Sequence, residues 1–329
     1  MNELALAAFA AANDCHAAEH EARTQRFERF AASFDADSYL ATLHARGLRW
    51  LARSDPRFPQ RLRAIHDPPP GLFLRGAGEP KLLTQTNVAI VGARSCTDYG
   101  AHVARRLACE LTAAGVVVVS GLARGIDGYA HRGALDVHGG ETVAVLGCGI
   151  DRDYPRAHAG LAAQIVAGGG LIVSEYPPGV APAPWRFPAR NRIVAGLALA
   201  TVVVEARERS GALITADLAL EEGREVLAVP GEITCALSDG TNALLRLGAV
   251  PVTCADDVLE AIGVEPTTKP EDEPPPGAPR SVLSAIDGGA QTADDIARAT
   301  GMAADAVAAA LTELELAALV RGSAGIYRR

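Results

Sequence analysis

Val88-Ala89-Ile90-Val91-Gly92-Ala93-Arg94-Ser95, followed by Asp98-Tyr99-Gly100, is the stretch on which the fold turns. An unbroken apolar run, largely β-branched, predicts a strand buried on both faces, and the glycine that ends it predicts a turn into a helix opening near Asp98. Free N–H groups at such a helix start, with Arg94 as a bidentate phosphate donor, make an anion site by geometry. The spacing from Gly92 to Gly100 is not the G-x-G-x-x-G of dinucleotide sites, and no lysine stands in a Walker A arrangement. Both NAD binding and ATP hydrolysis lose weight accordingly.

Outward from this stretch the same pattern repeats. Short β-branched runs at Val88–Val91, Val116–Val119, Thr142–Leu146, Leu171–Val173, Thr201–Val204 and Val226–Val229, with a weaker one at Ala249–Val252, are separated by helix-length segments. This is the signature of an α/β protein with a doubly wound parallel sheet, whose ligands sit at the carboxyl ends of the strands.

Those ends carry the polar chemistry. The second run closes in Ser120-Gly121-Leu122-Ala123-Arg124-Gly125-Ile126-Asp127, where glycines flank an arginine at a strand-to-helix turn. Asp127 and His131 lie one helical turn apart and suggest an acid/base pair, although an aspartate at a helix start is more simply a dipole and capping residue. Cys148 between Gly147 and Gly149 suggests a nucleophile, against the plainer reading of a small buried thiol. Trp185-Arg186-Phe187-Pro188-Ala189-Arg190-Asn191-Arg192 interleaves rings with guanidiniums, as single-strand binding requires, because bases stack on rings while arginines hold phosphates. The competing reading packs Trp185 and Phe187 on the core and pairs the arginines with Glu175 or Glu205. Ser210-Gly211 with Thr215, then Pro230-Gly231 and Gly240-Thr241-Asn242, continue the series of turns. So many such turns form a ledge suited to an extended polyanion.

The flanks differ. Residues 1 to 76 alternate Ala/Leu-rich helical stretches with polar breaks and close in the turn-rich His66-Asp67-Pro68-Pro69-Pro70-Gly71-Leu72-Phe73-Leu74, predicting a small helical domain. Residues 80 to 262 hold the sheet, 263 to 280 form a Pro/Glu-rich linker, and 281 to 329 predict a helix-turn-helix with a small wing. Between Ser281 and Val320 the only basic residue is Arg298, against six acidic ones, so this tail lacks what a duplex-reading helix needs.

The bulk composition agrees with a globular protein: 329 residues, 49% hydrophobic and 21% charged, with a net charge of −8 that confines any nucleic-acid site to a local patch. Lysine is confined to Lys81 and Lys269, so positive charge is almost all arginine. The longest apolar run, Ile193 to Val204, is about half of the roughly 20 residues a membrane span needs. Leu4–Ala12, preceded by Glu3 and by no basic residue, reads as a helix rather than a secretory segment, which gives a cytoplasmic expectation. The six cysteines lie far apart with no C-x-x-C pair, and His16 with His20 lacks a third metal ligand nearby.

The order of motifs resembles the DprA (Smf) family of bacterial DNA-processing proteins. The matching segments are V-G-A-R-S-C-T-D-Y-G from Val91, S-G-L-A-R-G-I-D from Ser120, A-V-L-G-C-G-I-D from Ala144, S-E-Y-P from Ser174, F-P-A-R-N-R-I-V from Phe187, V-E-A from Val204, S-G-A-L-I-T-A from Ser210 and G-T-N from Gly240. The resemblance implies an extended Rossmann-like parallel sheet, a SAM-like N-terminal helical domain and a winged-helix-like C-terminal domain. It also implies a homodimer that binds single-stranded DNA, protects it and loads the RecA recombinase during natural transformation, with no catalysis and no cofactor. The family's DNA pocket carries over to Arg94 and Phe187. With the loop residues read above, the expected DNA contacts are Gly92, Arg94, Ser95, Gly121, Arg124, Gly125, Arg186, Phe187, Arg190, Asn191, Arg192, Ser210, Gly211 and Thr215. Family members often carry a lysine three residues before the phenylalanine; here that position is Pro184, and either Arg186 supplies the missing charge or, pointing elsewhere, it leaves a weaker pocket.

Two other readings compete. Phosphoribohydrolases that act on nucleoside monophosphates share this fold type, but their P-G-G-x-G-T-x-x-E run is interrupted here, Pro230-Gly231-Glu232 being separated from Gly240-Thr241-Asn242 with no glutamate following. A scaffold for recombination partners would explain the acidic tail but leaves the loop arginines without a task.

Overall fold

The protein is described by a computed structural model covering residues 3–15, 21–264, 277–316, 319–323 and 326–328. His16 and His20 lie outside the described residues, as does most of the expected linker. The chain divides into two compact units, Met1–Pro266 and Thr267–Arg329.

The first unit is built on nine strands: β1 (Leu48–Ala52), β2 (Gly71–Arg75), β3 (Asn87–Val91), β4 (Val117–Ser120), β5 (Thr142–Leu146), β6 (Leu171–Ser174), β7 (Ala200–Val203), β8 (Glu225–Ala228) and β9 (Val250–Pro251). They lie in the order β1-β2-β6-β5-β4-β3-β7-β8-β9. From β6 to β9 every pairing is parallel. Alternate residues of β3 enter opposite cores, Ala89 and Val91 on one face, Val88 and Ile90 on the other, as a sheet covered on both sides demands. The chain leaves β3 through β4, β5 and β6, then crosses back to place β7 on the other side of β3. The carboxyl ends of β3 and β7 therefore mark the point where winding reverses, the usual crevice of such sheets.

The expectation of a small helical domain over residues 1 to 76 is corrected in part. α1 (Glu3–Ala12), α2 (Gln25–Ser33) and α3 (Ala36–Ala45) are helical, and α4 (Gln60–Arg63) is a single turn, but β1 and β2 extend the sheet. β2 pairs antiparallel with both β1 and β6. The prolines before Gly71 suggest a loop, yet Leu72, Phe73 and Leu74 are fully buried, and Phe73 meets Trp50 of β1 at 4.6 Å between ring centroids. Burial of those side chains overrides the turn chemistry beside them.

The remaining helices of this unit are α5 (Asp98–Ala113), α6 (Ile126–Leu135), α7 (Ala159–Ala167), α8 (Arg186–Leu197), α9 (Gly211–Glu221), α10 (Asp239–Arg246) and α11 (Ala255–Ala261). In the second unit, α12 (Ala278–Asp287), α13 (Ala293–Thr300) and α14 (Ala304–Leu316) precede an antiparallel hairpin of β10 (Arg321–Ser323) and β11 (Ile326–Arg328). Val282, Ile296, Val307, Leu311 and Leu314 form its core, and Gly301, with a left-handed φ of 67°, turns α13 into α14. Ala278–Arg280 belong to α12, so the expected linker ends earlier than 280. Among the described residues no helix is long and apolar enough to cross a membrane.

Candidate functional site

A cavity of about 300 Å³ opens where the winding reverses. Its walls come from the loop after β3 (Gly92, Arg94, Ser95), the loop after β4 (Gly121, Ala123, Asp127), the first turns of α8 (Phe187, Arg190, Asn191) and the loop after β7 into α9 (Arg207, Arg209, Ser210, Gly211, Thr215). A neighbouring cavity of about 920 Å³ shares Arg94, Gly121, Ala123, Phe187 and Arg190 with the first and adds Arg124, Arg152, Tyr154 and Arg156.

The glycines let backbones and side chains crowd together here. A Cβ on Gly121 would stand 2.5 Å from the Arg190 guanidinium. Gly125 caps α6 at a φ of 71°, and a Cβ there would meet the Ala93 carbonyl at 2.1 Å. Between them Leu122, fully buried, adopts a φ of 57°, a left-handed conformation costly for a branched side chain. His158 Nδ1 donates to the Leu122 carbonyl at 3.0 Å and helps hold it. Asp127 accepts from the Gly121 and Ala123 amides at 3.1 and 3.2 Å, so it shapes this loop from beneath. Burial pushes the Asp127 carboxyl upward, an effect opposed by the charge of Arg190.

The arginines divide sharply. Arg94 and Arg124 are exposed and, like Arg156, Arg207 and Arg209, have no carboxylate or carbonyl partner among the described residues. Arg94 lies over the Phe187 ring, 5.4 Å from its centroid, leaving its N–H groups for a ligand. On α8 the guanidiniums are spent within the protein. Arg192 forms a bidentate pair with the buried Glu175 at 3.0 and 2.7 Å and reaches Asp67 at 3.0 Å. Arg190 donates to the carbonyls of Gly121 and Val145. Arg186 is buried, bonds the Ala181 carbonyl and Asp14, and packs on Tyr176 and Trp185. The expectation that Arg186 replaces a basic residue at position 184 is therefore overturned, because its guanidinium is held against the segment after α1 and lines neither cavity. Arg192 is likewise remote from both. The competing reading, with Glu175 as the acid, describes Arg192 alone, since Arg186 meets Asp14 and Arg190 meets carbonyls; Glu205 instead accepts from the Thr97 amide and hydroxyl.

The other expected residues take supporting places. Asn191 donates from Nδ2 to the Gly211 carbonyl at 3.1 Å and fastens α8 to α9. Ser210 caps α9 by accepting from the Ala212 amide at 3.2 Å. Thr215 returns its hydroxyl to the Gly211 carbonyl.

The candidate acid, base and nucleophile are poorly placed for chemistry. His131 is fully buried; its Nδ1 bonds the Thr142 hydroxyl, whose own proton goes to the Val118 carbonyl, and burial holds its pKa down to about 3. Cys148 is 1% exposed, and burial pushes its thiol up to about 11, so it stays protonated at neutral pH. Among the described residues no group of acidic, His or Cys side chains could hold a metal ion.

Sequence reasoning missed Arg207, Arg209, Arg152, Tyr154 and Arg156. The signal was present in Arg152-Asp153-Tyr154-Pro155-Arg156, which interleaves a ring with arginines as residues 185 to 192 do, and in Arg207-Glu208-Arg209 directly before the α9 cap.

Known proteins resemble this chain in sequence and fold. The family described as DNA recombination-mediator protein A matches residues 49–263, and the DprA winged helix domain matches residues 266–325. Protein Smf of Escherichia coli is 40% identical over 282 residues, 83% of this chain and 75% of its own. The X-ray structure of DNA processing protein A from Streptococcus pneumoniae superposes with a TM-score of 0.64 at 42% identity, over 71% of this chain and 80% of that one. A structure of DNA processing protein A from Helicobacter pylori, solved for its single-stranded DNA binding mode, gives a TM-score of 0.57 at 33% identity, over 62% of this chain and 92% of that one.

Proposed function

Because this chain belongs to the DNA recombination-mediator protein A (DprA/Smf) family, we propose that it binds single-stranded DNA along the carboxyl edge of its parallel sheet. The observation that carries this reading is Arg94 poised over Phe187, its charge uncommitted, in a cavity rimmed by further unpaired arginines. A phosphate takes the guanidinium and a base takes the ring, so neither contact reads a base edge. The strand is held by residues within 80–262, through Arg94, Arg124 and Phe187 with Gly92, Ser95, Gly121, Gly125, Ser210 and Gly211 supplying close backbone. Arg190, Asn191 and Thr215 keep those elements in register.

The same reading extends to protection of an incoming strand and its delivery to RecA recombinase by a homodimer, as the family resemblance implies, in the cytoplasm as the reading of Leu4–Ala12 suggests, and it assigns the chain no reaction of its own. Titrating the protein into labelled oligonucleotides of equal length, single-stranded and duplex, tests it. Tighter binding of the single strand with little base preference is expected, and tighter binding of the duplex would overturn the reading.

A further inference from the structure

We infer that Tyr154 is a second base-stacking platform, and that with Arg124 and Arg156 it holds the nucleotide next to the one taken by Arg94 and Phe187. This rests on the single-stranded DNA reading and extends it to a second subsite.

Tyr154 is 40% exposed, and Phe187 is stacked on it with centroids 5.2 Å apart and planes 30° apart. The two rings thus form one short column that starts in the first cavity and ends in the larger one. Around the second ring, Arg124 and Arg156 are exposed and unpaired. The carboxylates that would neutralise them are engaged elsewhere: Asp153 bonds Arg75 at 2.6 Å, and Asp151 bonds Arg46 at 2.7 Å while accepting the Gly179 amide. An exposed ring beside uncommitted guanidiniums, inside a cavity large enough for a nucleotide, is the local composition that stacks a base and grips its phosphate. Arg94 borders both cavities and can bridge the phosphate between the two nucleotides.

The test compares wild type, Tyr154→Ala and Tyr154→Phe on a long thymidine oligonucleotide and on thymidine monophosphate used as competitor, with melting curves confirming that each variant folds. Tyr154→Ala should weaken the long strand by roughly tenfold, within the range of one lost base stack, with the salt dependence unchanged, while Tyr154→Phe binds as wild type. The mononucleotide, which Arg94 and Phe187 can anchor alone, should lose much less. Arg156→Ala should instead lower the slope of log affinity against log salt by about 0.7 on the long strand. If Tyr154→Ala binds the long strand as wild type, or loses the same factor on both ligands because it only props Phe187, the second platform is overturned and the DNA reading stands. If the wild type binds no single strand, the DNA reading fails and the second platform with it.

Discussion

The loops at the carboxyl edge of the sheet and the first turns of α8 are both rich in arginine, yet they use it in opposite ways. Among the described residues Arg94, Arg124, Arg207 and Arg209 are exposed with no carboxylate or carbonyl partner, whereas Arg186, Arg190 and Arg192 are buried and bonded to protein carbonyls and carboxylates. A guanidinium already desolvated and paired has little left to offer a phosphate, so the first set reads as binding charge and the second as structural charge. Arginine density along the chain does not separate them; the whereabouts of Glu175, Asp67 and Asp14 does.

That contrast breaks most visibly at Arg192. Arg192→Ala leaves the Glu175 carboxylate, 3% exposed, without its bidentate partner. It should cost about 3–5 kcal/mol of folding stability by denaturant titration. A variant as stable as wild type that has lost DNA affinity would put Arg192 in the binding set.

Acid should find the buried set as well. The folded-state pKa of His131 lies at about 3 against an ordinary 6.5, with burial the leading cause and the His158 and Arg190 charges adding to it. Its contribution to stability is complete above about pH 6.5 and is lost as pH falls from there toward 3, because only the unfolded chain takes up the proton in that window. The loss should approach about 1.4 kcal/mol per pH unit below 6, and His131→Gln should flatten it. Equal slopes in denaturation series at several pH values would mean that His131 is not held neutral by burial.

The exposed set should answer in binding, not stability. Arg94→Ala should cost roughly 1.5–3 kcal/mol of single-strand affinity and lower the salt slope by about 0.7, with melting unchanged. Phe187→Ala should cost about 1–3 kcal/mol with the slope nearly intact, since a neutral ring releases no counterion. Wild-type affinity in both folded variants would dissolve the distinction between the two arginine sets. The smallest effect belongs to the second unit. Deleting residues 281–329 should leave DNA affinity nearly unchanged, because α13 and α14 offer Arg298 alone and that side chain pairs with Asp295. A tenfold loss in an oligonucleotide titration would make the acidic winged helix a DNA contact.

The strands were legible because a parallel sheet buried on both faces needs nearly continuous β-branched runs; Thr142–Leu146 has the same bounds in the chain reading and in the fold. The glycine turns were legible for a related reason, since close approach at Gly121 and a left-handed φ at Gly125 admit little else. β1 and β2 were not legible, because β2 is a strand through its pairing with β6, about a hundred residues onward, and β1 through its pairing with β2 in turn, not from local pattern.

Sequence pattern thus determined the α/β class and the glycine turns that close its strands, properties written in short-range spacing, while the family resemblance nominated Arg94 and Phe187 for the proposed pocket. Tertiary structure decided which guanidiniums are free. Arg192 meets Glu175 from 17 residues away and Asp67 from 125, and Arg186 meets Asp14 from 172. The charge left over for a ligand is what remains after those distant pairings, and no window along the chain contains both members of the longest of them.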